Sequence, residues 1–259
     1  GNVGIGTTTP SSLLTIDSAS QSISPLRIEI SPFSSSLGYN YRKPITITNN
    51  SGETLTDLQV LISFNTATLI SAGKMQSSCN DIRVADSDGS TFLSYWIYPG
   101  TCNTSATRIY VKVPSISTQT KIIYIYYGNF LASSASNGNN TFIQFGDFSG
   151  TSLPPNWTSI NIGTTGSASV SAGKLIVSNI NGADVWQSTY QATLAYYNAP
   201  VSGNFIAEAR ITSFTSTNPN TYGKAGLLVQ NNQAAQKSNG VADMFITYSA
   251  GFEFAYQSS

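Results

Sequence analysis

Between residues 45 and 127, apolar and polar side chains alternate in short runs. Ile45 and Ile47 form the first. Leu58, Val60, Ile62 and Phe64 follow, then Ile82 and Val84, then Ile109, Val111 and Val113, then Ile123, Ile125 and Tyr127. Successive side chains of a strand point to opposite faces, so this period of two predicts half-buried strands, each with one apolar face. Five or more such strands separated by Gly, Asn and Ser turns argue for an antiparallel sandwich. One stretch breaks the pattern: Ala67 to Gly73 reads as a short helical crossover with Gly73 as its C-cap. Asp88-Gly89, set between alternating segments, is a hairpin signal.

The alternation resumes after residue 147, at Leu175 and Val177, Phe205 to Ile211, Ala225 to Val229, Met244 to Tyr248 and Phe252 to Tyr256. The last of these strands has no turn or terminator behind it, which reads as a truncated domain or one completed by another segment. Near the start, Leu13, Leu14 and Ile16 form one short apolar run. Leu26, Ile28 and Ile30 alternate with Arg27 and Glu29 to form another. A lone strand must find a sheet, so these six apolar residues are the candidate assembly strands. The expected fold is all-β: an N-terminal strand extension (1–38) and two antiparallel, jelly-roll-like sandwich domains (39–146 and 147–259).

Composition narrows the function. Charged residues make up 9% of the 259 and hydrophobic residues 40%, with 14 Tyr and 12 Phe. Burial can therefore offset chain entropy, and the low charge is a property of a surface rich in Ser, Thr, Asn and Gly, as is common in exported proteins. Twelve basic residues balance twelve acidic ones with no basic run, so nucleic acid is not an expected partner. No apolar stretch approaches the ~20 residues of a spanning helix, so membrane insertion is not expected either. The chain contains no histidine, which removes Ser-His triads and the common zinc sites. Glycoside hydrolysis would need two carboxylates roughly 5 to 9.5 Å apart. Glu208 and Glu253 lie in strand-like segments, but neither has an acidic residue two positions away. The expectation is a protein that is not an enzyme and needs no cofactor.

Cys79 and Cys102 are the only cysteines. In an exported chain they are expected to pair, stabilising the fold by roughly 3 kcal/mol in the chain-entropy model. Two buried free thiols are the plainer alternative, and zinc would be short of ligands. Asp86-Ser87-Asp88-Gly89 lacks the further oxygen ligands of a calcium loop and fits a turn better. A structural calcium held by Asp147 with Asp81 or Asp184 stays open. Asn49, Asn103, Asn139 and Asn156 each begin an Asn-x-Ser/Thr sequon, a pattern that arises readily by chance in so Asn- and Thr-rich a chain. Trp186 and Tyr190, close to Tyr196 and Tyr197, could form with Gln230 and Asn231 the aromatic and amide platform that sugar recognition requires. The competing reading places these aromatics in the core.

Three resemblances bear on function. The runs Tyr41-Arg42-Lys43-Pro44-Ile45-Thr46-Ile47-Thr48-Asn49, Met75 to Arg83 and Tyr124-Ile125-Tyr126-Tyr127-Gly128-Asn129, with Phe145-Gly146-Asp147-Phe148-Ser149-Gly150 closing the stretch, resemble a domain-of-unknown-function family of exported prokaryotic surface proteins. Gly1-Asn2-Val3-Gly4-Ile5-Gly6-Thr7-Thr8-Thr9-Pro10 looks like a short motif of phage tail-fibre proteins. Asp147-Phe148-Ser149-Gly150 with Trp157, Gly173-Lys174-Leu175 and Gly223-Lys224-Ala225-Gly226 is similar to concanavalin A-like (LamG-like) lectin and glucanase domains. Together these imply a non-catalytic extracellular structural or adhesive protein, on a cell-surface appendage or a virion fibre. It would assemble with itself through strand addition by the N-terminal segment. A carbohydrate-binding module of a larger adhesin or enzyme, contacting surface glycans, is the alternative.

Overall fold

The computed structural model describes residues 3–5, 14–16, 38–179, 191–215, 223–230, 241–247 and 251–257. In chain order the strands are β1 (Val3–Ile5), β2 (Leu14–Ile16), β3 (Tyr41–Thr48), β4 (Leu55–Phe64), β5 (Arg83–Ala85), β6 (Phe92–Leu93), β7 (Tyr95–Ile97), β8 (Thr107–Ile116), β9 (Thr120–Tyr127), β10 (Trp157–Ile162), β11 (Gly166–Ser171), β12 (Lys174–Asn179), β13 (Ala192–Tyr197), β14 (Lys224–Gln230), β15 (Val241–Thr247) and β16 (Gly251–Gln257). Two short helices, α1 (Thr66–Ser71) and α2 (Gly138–Thr141), interrupt them. The chain is all-β and, apart from a parallel β1-β2 pair, its sheets are antiparallel.

Strands β3 to β9 form two sheets, ordered β3-β9-β5-β6 and β4-β8-β7. Val84, Leu93, Ile123, Ile125 and Tyr127 from the first sheet meet Ile62, Phe64, Tyr95, Ile109, Val111 and Val113 from the second in one buried cluster, so the two sheets make a sandwich. The alternation of β8 up to Val113 and of β9 explains their inner places: Ile109, Val111, Val113, Ile123 and Ile125 have no exposed surface. Burying each such side chain contributes about 1.5–3 kcal/mol.

The alternation fails in one place for a visible reason. Leu58, expected inside, is 39% exposed. Thr56 pairs with Ser115 and Leu58 with Val113, which leaves Asp57 facing Pro114. Proline has no N–H for the ladder, and Asp57 adopts the left-handed conformation there, at φ 51°. The core-facing side changes parity across this point in both strands. Leu55 and then Val60, Ile62 and Phe64 face the core on β4, as do Val113 and then Ile116 on β8.

The expected crossover is α1. Asn65 caps it by accepting from the Thr68 N–H at 3.1 Å. Its far end closes through Gly73 N–H to the Ile70 carbonyl and Lys74 N–H to the Leu69 carbonyl, both at 2.9 Å, a Schellman motif. Ala72 is the cap, and Gly73 lies one residue beyond it. Asp88-Gly89 sits within a six-residue loop, Asp86 to Thr91, and not in a two-residue turn.

After residue 147 the strands form β10-β13, β11-β12 and β14-β15-β16 sheets. Asn161 links the first two by donating to the Gly166 carbonyl and accepting from the Thr193 hydroxyl, each at 2.8 Å. Buried Ala192 packs with Ile162, Leu194 and Leu228, joining β14 to the β10-β13 pair. The expected strand from Phe205 to Ile211 does not form. This stretch pairs with no strand among the described residues, and Ile206 is 97% exposed. Of the candidate assembly residues, Leu14 and Ile16 lie in β2, beside β1. Leu13, Leu26, Ile28 and Ile30 fall outside the described residues.

Truncating the centre of the core should be costly and truncating the outer face should not. Ile125→Ala is expected to lower unfolding free energy by about 2–5 kcal/mol, and Leu61→Ala, at a half-exposed position, by under ~0.5 kcal/mol. Urea titration of both variants checks the contrast.

Candidate functional site

The polar side chains buried in the sandwich organise loops. Cys79 and Cys102 form a disulfide with a Cα–Cα distance of 6.1 Å. It joins the segment after α1 to the loop before β8. Thr66 and Thr107, both fully buried, hydrogen-bond to each other through their hydroxyls at 2.6 Å. Thr66 also accepts from the Asn103 N–H, and Thr107 donates to the Thr101 carbonyl. The start of α1, the start of β8 and the disulfide loop are thus tied together.

Asp81, a candidate calcium ligand by sequence, has a different role. It is fully buried, and its two carboxylate oxygens accept from the N–H groups of Gln76 (3.1 Å) and Gly128 (2.7 Å). Gln76 in turn donates its side-chain amide to the carbonyls of Asn129 and Ala132. Asp147 accepts from the N–H and hydroxyl of Ser149. Asp184 lies outside the described residues. Among the described residues no three His, Cys, Asp or Glu groups lie together as a metal site, and no helix is long and apolar enough to cross a membrane.

Asp86 forms an ion pair, receiving Lys121 Nζ on both oxygens at 2.7 and 3.0 Å. Burial pushes its carboxyl pKa up, but Lys121 and the Ser87 N–H and hydroxyl outweigh that effect and the net displacement is downward. Asp88 is fully exposed. The Thr91 hydroxyl and the N–H groups of Ser90 and Thr91 hold it well below the usual carboxylate range.

The largest convergence of chemistry-bearing side chains is one the sequence reading missed. On the outer face of the β4-β8-β7 sheet, Trp96 and Tyr110 receive Phe142 and Phe145 from the segment around α2. The Phe142 and Phe145 rings stack at 5.7 Å, 7° from parallel. Phe145 lies directly over Gly138, where an added Cβ would come within 2.4 Å of the ring. Arg108 stands 4.4 Å over Tyr98 and donates to the Tyr110 hydroxyl. Glu208 faces this pair, 3.3 Å from the Tyr110 hydroxyl and 3.8 Å from Arg108. The contacts continue beyond the sandwich: Trp157 Nε1 donates to the Phe145 carbonyl at 3.0 Å, and its ring meets Phe148 and Tyr197 edge to face. Aromatic pairs of this kind contribute about 0.5–1.5 kcal/mol each beyond their burial. The Phe142-x-x-Phe145 spacing next to the Asn137 cap was the available sequence signal.

Glu208 is thus an exposed contact residue on a segment that pairs with no strand among the described residues. Glu253 lies in β16 opposite Phe245. Of the candidate glycan platform, Trp186, Tyr190 and Asn231 lie outside the described residues, and Gln230 ends β14 opposite Val241. Tyr197 belongs to the aromatic chain through Trp157. Among the sequons, Asn49 is buried and donates its amide to the carbonyls of Glu53, Ile116 and Ser117, so it is a structural residue in the folded chain. Asn103, Asn139 and Asn156 are exposed.

Residues 78–160 match the model of a family described as a domain of unknown function (DUF2341). The match begins inside the sandwich, just before Cys79, and runs through the aromatic contacts to the first residues of β10. No curated protein and no solved structure matches the chain.

Two expectations test these contacts. The folded pKa of Asp86 lies below its ordinary 3.8, so its contribution to stability is complete above that value and is lost as pH falls through the folded one. Asp86→Asn should therefore melt lower than the parent at neutral pH, and the gap should close in acid. A gap independent of pH would assign the effect to packing. Phe145→Ala should speed proteolytic cleavage between Gly146 and Asn156 several-fold under native conditions; an unchanged rate would show that the ring does not hold this segment.

Proposed function

We propose that this chain is a non-catalytic extracellular structural or adhesive subunit of a surface fibre or filament. Its N-terminal segment makes the subunit contacts by strand addition, the sandwich serves as a rigid spacer, and the part after residue 147 is a lectin-like contact module. The observation that carries this reading is the run of contacts from Trp96 to the Phe145 ring, from the Phe145 carbonyl to the Trp157 indole N–H, and from the Trp157 ring to Tyr197. It couples the disulfide-closed sandwich to the strands that follow. A spacer must transmit position along its length, and interlocked rings with a covalent cross-link resist bending at the point where two stretches of strand meet.

The charge distribution supports the same reading. Arg42, Lys43, Lys74, Arg83 and Arg108 each stand over an aromatic ring. Lys112 and Lys121 pair with Asp57 and Asp86. Every cation between residues 39 and 127 thus has a partner within the chain. A low-charge surface of hydroxyls and amides suits an extracellular setting, and the sequence resemblance to exported surface proteins and tail fibres points the same way.

Negative-stain microscopy and mass photometry test the proposal. The full chain is expected to form filaments or discrete oligomers that vanish when residues 1 to 36 are deleted. Assembly that survives the deletion, or a full chain that stays monomeric, would refute it.

A further inference from the structure

We propose that the free edge of β4 accepts an added strand, and that the donor is the Leu26–Ile30 segment of a second copy of this chain. This inference rests on the assembly reading above and specifies its contact.

The edges of the sandwich are unequal. On one flank, the outer side of β7 is closed by the chain itself: Ile97 N–H donates to the Ser136 hydroxyl, and Asn137 N–H donates to the Tyr95 carbonyl. The neighbouring edge strand β6 is two residues long. On the other flank the edge strands are β3 and β4. β3 carries Arg42, Lys43 and Pro44, the residue types that discourage pairing at a sheet edge. β4 runs for ten residues with no proline, and no described strand pairs with it on that side. Its stretch after Asp57 is regular, and Leu61 on its outer face is 48% exposed.

On that flank Ile45, Ile47, Leu55 and Val60 pack against the core and remain half-buried, while Ile62 and Phe64 farther along β4 are buried. The β4 sheet has three strands against four in the sheet facing it. A fourth strand beside β4 would equalise the sheets and cover those side chains.

The occupant must be a short strand with one apolar and one polar face. Leu26, Ile28 and Ile30 supply the apolar face, Arg27 and Glu29 the polar one, and Pro25 and Pro32 bound the segment at both ends. Leu14 to Ile16 is the weaker donor, because it has three residues and already pairs with β1. Backbone hydrogen bonds would provide affinity, and apolar side chains entering the flank would set register. A donor that occupies a neighbour's edge while its own β4 stays open propagates head to tail, which gives a filament, or a ring where the rotation between copies closes.

Thiol cross-linking of full-length chains tests this. The polar face of the donor and Leu61 would lie on the same outer face, within disulfide reach when directly opposite. Arg27→Cys and Glu29→Cys chains are each mixed under mild oxidation with Leu61→Cys chains. Ile122→Cys, at a similarly exposed position on β9, serves as the control acceptor. The expected result is a bridge to residue 61 in at least tenfold excess over one to residue 122, identified by mass spectrometry. Equal yields from material that still forms fibres would overturn the β4 acceptor and leave the assembly reading standing. A bridge formed only within one chain, in an Arg27→Cys, Leu61→Cys or a Glu29→Cys, Leu61→Cys double variant, would overturn the second-copy donor. A parent chain that does not assemble would overturn both readings.

Discussion

The path of the chain out of the sandwich depends on the buried carboxylate of Asp81. A carboxylate taken out of water needs hydrogen bonds to every exposed lone pair, and here two backbone N–H groups from distant parts of the chain provide them, Gln76 after α1 and Gly128 at the end of β9. Bonding both at once fixes the end of β9 against the disulfide segment. Gly128 has φ 87°, and an added Cβ would lie 2.6 Å from the Tyr41 ring, so the close approach needs glycine. From there Gln76 holds the turn at Asn129 and Ala132, which directs the chain over the edge of β7 and onto the outer sheet face. The aromatic contacts of Phe142 and Phe145 with Trp96 follow from that direction.

This routing makes the sandwich asymmetric. The same stretch that leaves β9 closes the β7 flank and packs on Trp96 and Tyr110 on the outer side of the sheet, while nothing described performs that service for β4. An isolated domain would be expected to protect a ten-residue edge with charge, proline or a bulge. β3 has that protection, and β4 has only the kink at Asp57 near one end. The difference between two edges of one flank is what a spacer with a single polymerisation edge would require.

Much of this was legible in the sequence where periodicity dominates. β8 as far as Val113 and β9 follow their alternation because both faces of the pattern find neighbours, and the disulfide joins the two cysteines of the chain. The errors have physical causes. Leu58 was placed inside because a period-two count ignores Pro114, fifty-odd residues away, which removes a donor from the ladder opposite Asp57. Phe205 to Ile211 alternates like a strand, but a strand exists only with a partner, and Glu208 turns instead toward Arg108 and Tyr110. Asn49 carries a sequon, yet its amide satisfies three carbonyls near the β3-β4 and β8-β9 connections, a use that no local pattern announces. The aromatic joint was illegible for a related reason. It gathers residues from β7, β8, the α2 segment and β10, and only the route set by Asp81 brings them together.

The scarcity of charge is the remaining constraint, and it changes what cations can do. With few carboxylates available, most basic side chains of the sandwich are placed over rings. There the charge keeps its hydration on one side and meets the negative face of the aromatic system on the other, contributing about 0.5–1 kcal/mol at exposed sites. Lysine and arginine stems then cover apolar ring surface that would otherwise face water. In the proposed assembly, backbone pairing and apolar burial would carry the contact, and the edge of β4, which no described strand pairs on that side, offers both beside its half-buried neighbours.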